Sequence, residues 1–270
     1  FGAYQISLSI PSVDYWSTKN PNLYAVMVNI TSKDDSTVID EFCTQTGFRE
    51  LEINGTNLNL NGADLKLAGM SIHEQYPAPT GRSLNDTQRF KDLKLVKNAS
   101  ANWWRGSYPF HPMTYIYSDR LGMACWEEAP FFWFNEIDFV QAKARNAYRG
   151  IWTEVLFRDF NRPSVLIWGA CNEPWASTNL YEYLDIARNF LDTYDPSRFL
   201  SFACVSGHPW NDGFKQLELL TPNTYGGTFD GVIGDYYGEI SKQVHEFVDN
   251  NPNKPLMSME WGKWRTSDES

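Results

Sequence analysis

Ser164-Val-Leu-Ile-Trp-Gly-Ala-Cys171, followed at once by Asn172-Glu173-Pro174, is the stretch on which the fold turns. Apolar almost throughout, it has the pattern of a parallel strand covered on both faces rather than one with a wet side. Working outward, further strands are expected at 65–72, 101–105, 123–128, 199–206, 218–224 and 255–260, with helical stretches between most of them. Residues 84–98 open behind Ser83, with Asp86 three positions on as a capping partner. Residues 112–121 begin at Pro112 and stop at Gly122, the usual asymmetry of helix ends. In 137–159, Ile137, Val140, Ala144, Tyr148, Ile151 and Val155 recur at helical spacing on one face.

Repeated strand–helix units imply a parallel sheet, either doubly wound or closed into a barrel. No GxGxxG and no GxxxxGK[ST] follows any strand, which removes the main reason to expect a nucleotide-binding open sheet. A barrel keeps its chemistry at the C-terminal ends of its strands. Residues 1–51 read differently. Ile6–Ile10 and Leu23–Ile30 alternate apolar and polar, and Pro11, Pro21 and Asp34-Asp35-Ser36 act as turns, as in the closing strands of a small β-sandwich. Leu58-Asn-Leu60 and Leu65-Lys-Leu67 flank Asn61-Gly62, a hairpin signal.

Composition bounds the partners. The net charge of −10 leaves no basic stripe to release counterions, so nucleic acid is excluded as a partner. Eleven Trp, 14 Tyr and 17 Phe suit a site that holds ligands part apolar and part hydroxylated, as sugar rings are, although core packing accounts for most of them. No apolar run is long enough to span a membrane and no leader opens the chain, so a soluble protein is expected. Sequons at Asn29, Asn54, Asn85 and Asn98 arise readily by chance, and the compartment stays open, cytoplasm being favoured over secretion. Cys43, Cys125, Cys171 and Cys204 read as buried free thiols, and His111, His208 and His245 show no metal-ligand spacing.

Two apolar runs each deliver a glutamate to the same rim: Glu173 after the quoted strand, and Glu260 at the end of Met257-Ser-Met-Glu260. Hydrolysis of a glycoside needs such a pair, one carboxylic acid to protonate the leaving oxygen and one carboxylate to attack or to activate water. Taken singly, either could be no more than a polar residue where a strand meets its loop.

The run Arg158-Asp-Phe-Asn-Arg-Pro-Ser-Val-Leu-Ile-Trp-Gly-Ala-Cys-Asn-Glu-Pro174 resembles the acid/base motif of glycoside hydrolase family 2, the β-galactosidases, β-glucuronidases and β-mannosidases. Gly47-Phe-Arg49, Leu67–Glu74, Asn102–Pro109, Asp119–Pro130, Asp195–Arg198, Pro222–Gly226 and Lys254–Gly262 resemble further motifs of that family in the same order. The resemblance implies a (β/α)8 TIM barrel over 52–270, carried through strand seven and truncated before strand eight. Over 1–51 it implies a partial immunoglobulin-like sandwich. It implies a retaining exo-β-glycosidase of β-galactosidase or β-glucuronidase type, with Glu173 as acid/base and Glu260 as nucleophile. Asn172 would bind the sugar 2-hydroxyl, Tyr225 would donate to the nucleophile, Arg105 would sit behind it and His73 would contact the sugar. Trp210, Trp261 and Trp264 are stacking candidates. Glu127 and Glu128 could align substrate or hold a cation, but a structural role fits them better. No cofactor and no metal are implied; the partner is a carbohydrate, and homo-oligomerisation stays open.

Three departures stand out. Ser107-Tyr108-Pro109 lacks the His of the family's Ser-His-Tyr-Pro, and Asn161-Arg162-Pro163 has Arg where the family usually has His. The third is extent: the expectation is a fragment, lacking a jelly-roll domain, most of the sandwich and strand eight, and inactive by itself. Competing readings are a non-catalytic carbohydrate-binding relative, favoured by the missing His, and an endo-glycanase of the same clan, which shares Asn-Glu-Pro but not the upstream sandwich and its Gly47-Phe-Arg49 junction.

Overall fold

β1 (Tyr24–Thr31) and β2 (Val38–Thr46) pair as an antiparallel ribbon over the Asp34-Asp35-Ser36 turn. The computed structural model describes residues 6–75, 81, 84–205 and 216–262. Within it Ile6–Ile10 joins no ladder, contrary to its alternating pattern; alternation makes a strand only where a neighbour offers backbone partners. The ribbon leaves Met27, Val28, Ile30, Ile39 and Phe42 exposed. Cys43 lies on it and is exposed too, so the expectation of four buried thiols holds only for Cys125, Cys171 and Cys204. Next, β3 (Leu51–Asn54), β4 (Asn57–Leu60) and β5 (Ala63–Asp64) form a small antiparallel sheet. Its second turn is the expected Asn61-Gly62, with φ of 54° and 77°.

The strand–helix alternation comes next: β6 (Gly69–His73), α1 (Asp86–Asn98), β7 (Trp103–Ser107), α2 (Pro112–Leu121), β8 (Ala124–Glu128), α3 (Glu136–Ala144), α4 (Ala147–Asp159), β9 (Val165–Asn172), α5 (Thr178–Tyr194), β10 (Phe199–Ala203) and α6 (Tyr236–Asn250). The five strands of this series form one parallel sheet in the order β10-β9-β8-β7-β6. Each strand pairs with its predecessor and the order never reverses, so there is no switch point of the doubly wound kind. The sheet winds in one direction only, as a barrel does.

Beyond β10 the arc continues through isolated parallel bridges, Cys204 to Pro222, Leu220 to Leu256 and Asn223 to Glu260, in place of the regular strands expected at 218–224 and 255–260. Pro222 and Pro255 bring no N–H to a ladder, which explains the interruption. Ser71 on β6 reaches across to donate to the Met259 carbonyl at 3.0 Å.

Apolar side chains pack on both faces of this sheet. Val165, Trp168, Ala170 and Cys171 of β9 join a buried cluster with residues of the helices, whereas Leu166 and Ile167 join a second one with Trp103, Trp126, Leu219 and Met259. The helices follow the sequence reading with two corrections. Ser83 lies outside the described residues, and α1 is capped by Asn85, whose side chain accepts from the Gln88 N–H at 2.9 Å. The single helix expected over 137–159 is two, because Asn146 adopts φ 55° and resets the helical phase. α3 buries Phe139 and Ala142 and leaves Ile137 and Val140 exposed.

Buried polar contacts fix the barrel's N-terminal end to the residues before it. Asp119 accepts from Arg162 Nη1 at 3.0 Å, from Gln45 on β2 at 3.0 Å, and from the Ser164 N–H and hydroxyl at 3.1 and 2.7 Å. Arg162 also donates to Thr44 Oγ1 and the Gln45 carbonyl, so this departure from the family motif ties β2 to the barrel. Arg49 donates to the carbonyls of Pro163 and Val165, both at 2.9 Å. Burial, reinforced by the neighbouring Arg198 charge, pulls its guanidinium down to about 9.

Candidate active site

The C-terminal ends of β7, β8 and β9, with the bridged segments at Asn223 and Glu260, bring their polar side chains to one rim. Successive strand residues point to opposite faces. On β8 this sends Glu127 outward to Arg158, 2.7 Å away, and Glu128 inward to Arg105. The adjacent pair therefore does two different jobs.

Arg105 organises the interior. Its Nε and Nη2 donate to Glu128 at 3.0 and 2.8 Å, Nη2 also to Asn172 Oδ1 at 2.6 Å, and Nη1 to Glu260 Oε1 at 2.5 Å. Its side chain is 1% exposed and that of Glu128 0%. Burial acts to lower the guanidinium, but the Glu128 and Glu260 charges more than offset it and hold Arg105 above its ordinary value. Burial likewise pushes the Glu128 carboxyl up, against the pull of Arg105. Trp126 gives Glu128 one more donor, Nε1 to Oε2 at 2.6 Å. That indole crosses β9 at Gly169, where any side chain would collide with Nε1, which explains the glycine inside an otherwise bulky strand.

Glu260 accepts from Tyr225 Oη at 2.9 Å on its second oxygen, so both oxygens are held. Its backbone is fixed by Thr224 N–H to its carbonyl at 2.7 Å. With its oxygen committed to Arg105, Asn172 offers amide N–H groups to a ligand.

Glu173 follows β9 with φ 46°, a conformation uncommon for a residue with a side chain. Its N–H donates to the Ala203 carbonyl at 2.7 Å. Its Oε1 accepts from Asn223 Nδ2 and its Oε2 from Trp133 Nε1, both at 2.7 Å. Neither donor stands among the residues singled out from the sequence. Asn223 lies inside the quoted Pro222–Gly226 motif and could have been found there; Trp133 carries no motif. Tyr108, in the Ser-Tyr-Pro departure, is a third addition. Burial, then the negative field of Glu128, Glu260 and Glu173, pushes its phenol far up, which places it among the carboxylates of the site.

The structure thus brings together Arg105, Asn172, Glu173, Tyr225 and Glu260. His73 stands exposed at the end of β6, beside Ser107 of β7. Trp261, next to Glu260, is 71% exposed. Trp210, Trp264 and His208 lie outside the described residues. Among the described residues, no group of three or more His, Cys, Asp or Glu could hold a metal ion, and no helix is long and apolar enough to cross a membrane.

Comparison with known proteins agrees with this architecture. Residues 51–267 match the family model described as "Glycosyl hydrolases family 2, TIM barrel domain", and residues 2–49 match "Glycosyl hydrolases family 2". A β-galactosidase of Vibrio vulnificus (strain YJ016) is 30% identical over 192 residues, 68% of this chain and 18% of that protein. The crystal structure of an FMN-binding β-glucuronidase from Facaelibacterium prausnitzii L2-6 superposes with a TM-score of 0.83 at 25% identity, covering 95% of this chain and 40% of that one. Bacteroides uniformis β-glucuronidase 2, solved covalently bound to cyclophellitol-6-carboxylate aziridine, superposes at 0.80 with 25% identity, covering 92% of this chain and 31% of that one. The chain spans between 16% and 29% of the length of the first curated relatives it matches.

Proposed function

The chain belongs to glycosyl hydrolase family 2, and from that premise we propose that it carries the catalytic centre of a retaining exo-β-glycosidase of β-galactosidase or β-glucuronidase type. The observation that carries the reading is the unlike setting of the two glutamates. Glu260 is held by the Arg105 cation and the Tyr225 hydroxyl, as a nucleophile kept anionic should be. Glu173 is held by two neutral N–H donors, as a group that must gain and lose a proton in each cycle can be.

In the first step Glu260 attacks the anomeric carbon while Glu173 gives its proton to the departing oxygen, leaving a glycosyl ester on Glu260. In the second, Glu173 takes a proton from water as that water attacks the same carbon and releases the sugar with its original configuration. Asn172 hydrogen-bonds the 2-hydroxyl, a contact that strengthens as positive charge develops on the ring. The relative captured with an aziridine covalently bound supports a covalent intermediate. The same reading assigns 1–51 to a partial immunoglobulin-like sandwich and 52–270 to the barrel.

A panel of nitrophenyl β-galactoside, β-glucuronide and β-mannoside tests this on the full-length protein. Hydrolysis of one of the first two, with release of the β-anomer by NMR, is the expected result. No turnover of any, or release of the α-anomer, overturns it.

A further inference from the structure

Trp133 is an odd tryptophan. Trp16, Trp104, Trp126, Trp152 and Trp168 are buried in the cores, each at most 1% exposed, while Trp133 is 59% exposed and, among the described residues, stacks on the half-exposed Phe132, with ring centroids 4.7 Å apart and 23° between planes. It also has φ 54°, which bulky side chains rarely adopt. Core packing does not account for a strained, half-exposed indole. The polar atom does: Nε1 lies 2.7 Å from Glu173 Oε2.

The backbone shows how the contact is made. After β8, the Phe132 segment adds itself to the end of β9 as a parallel bridge at Asn172. Asn172 N–H donates to the Phe131 carbonyl and Trp133 N–H to the Asn172 carbonyl, both at 2.9 Å, and Trp175 N–H to the Phe134 carbonyl at 2.8 Å. Within this pairing Trp133 and Glu173, at φ 54° and 46°, both leave the extended conformation at the same level. Two matched left-handed residues turn the indole and the carboxylate toward each other. Unfavourable backbone conformations of this kind persist where the surroundings over-determine them, and they gather at functional sites.

Resting on the proposed role of Glu173, we infer that Trp133 is its positioning residue, holding Oε2 through the indole N–H while the buried Asn223 holds Oε1. The two donors differ in what they can do. Asn223 is 1% exposed and locked in the barrel wall, its backbone bridged to Glu260. Trp133 is half-exposed and outside the buried wall, so its N–H can yield Oε2 when that oxygen carries the proton. In the base step the same N–H orients the carboxylate that accepts a proton from water.

The test compares wild type, Trp133→Phe and Glu173→Gln on the 2,4-dinitrophenyl and phenyl β-glycosides of the sugar selected by the panel above. Phenylalanine keeps the ring and removes only the N–H. Dinitrophenolate leaves without acid help, so Trp133→Phe keeps kcat/KM on that substrate within about threefold but loses kcat, which reports the base step. On the phenyl glycoside kcat/KM falls about tenfold or more, part of the rate that a general acid supplies. A structural role would move both substrates alike, so equal losses, or none, overturn the inference. Glu173→Gln keeps the two readings apart. If it discriminates between the leaving groups and Trp133→Phe does not, only the role of Trp133 falls; if Glu173→Gln does not discriminate, the acid/base assignment falls and this inference with it.

Discussion

Arg105 Nη1 lies 2.5 Å from Glu260 Oε1, and the same guanidinium is held from behind by Glu128. One cation therefore serves two carboxylates, one buried for good and one facing the site. Removing it has two separable consequences. Arg105→Met leaves Glu128 buried without its charge partner, and the fold should lose about 3–5 kcal/mol in chemical denaturation. Adding Glu128→Gln should recover most of that stability and none of the turnover, because Glu260 still lacks its cation. Recovered turnover in the double variant would contradict the role given to Arg105.

Glu173→Ala should abolish hydrolysis of alkyl β-glycosides but keep attack on dinitrophenyl substrates, where no acid is needed. Sodium azide should then restore turnover and yield the β-glycosyl azide, since an external anion replaces the water that Glu173 would activate. Full activity of this variant on alkyl glycosides would show that the acid lies elsewhere.

Asn172→Ala should cost rate on normal substrates far more than on 2-deoxy substrates, because the contact with the 2-hydroxyl is made mainly in the transition state. Equal losses in kcat/KM on the two would place Asn172 away from that hydroxyl.

Asp119 carries a pH signature. Burial pushes its carboxyl from 3.8 to about 6, against the pull of Arg162 and the Ser164 donors. The folded state therefore binds a proton between pH 4 and 6 that the unfolded state has already lost. Unfolding free energy should fall as pH rises through that window and level off above it, by on the order of 3 kcal/mol from this group. Thermal melts of Asp119→Asn should lose that component of the pH dependence. An unchanged pH profile in the variant would contradict the burial argument.

How legible this molecule was depends on the residue. β9 could be read directly because its neighbours cover both faces, so every position before Asn172 is apolar or small. Its Gly169 could not be interpreted until Trp126 was seen crossing it. The helix break at Asn146 was invisible because a left-handed Asn leaves the apolar spacing intact while rotating the residues beyond it. Segments 218–224 and 255–260 read as strands, but prolines reduce them to bridges that still deliver Asn223 and Glu260 to the rim. Of the site, Glu173, Glu260, Asn172, Tyr225 and Arg105 lie in motifs resembling the family's. Glu128, Asn223 and Tyr108 also lie within those motifs, but what each touches is set by partners remote in sequence, and Trp133 lies in none of them. Which of Glu127 and Glu128 faces inward is a matter of sheet alternation that composition does not carry.

The assignment of the two glutamates is tested most directly by trapping the nucleophile. A 2,4-dinitrophenyl 2-deoxy-2-fluoro-β-glycoside loses its leaving group without acid help, and the fluorine slows breakdown of the ester that forms on a retaining enzyme. Peptide mass spectrometry of the inactivated protein should find one added fluorosugar, on Glu260, and none after Glu260→Gln. A label on Glu173 or Glu128, or steady turnover with no covalent adduct, would contradict it.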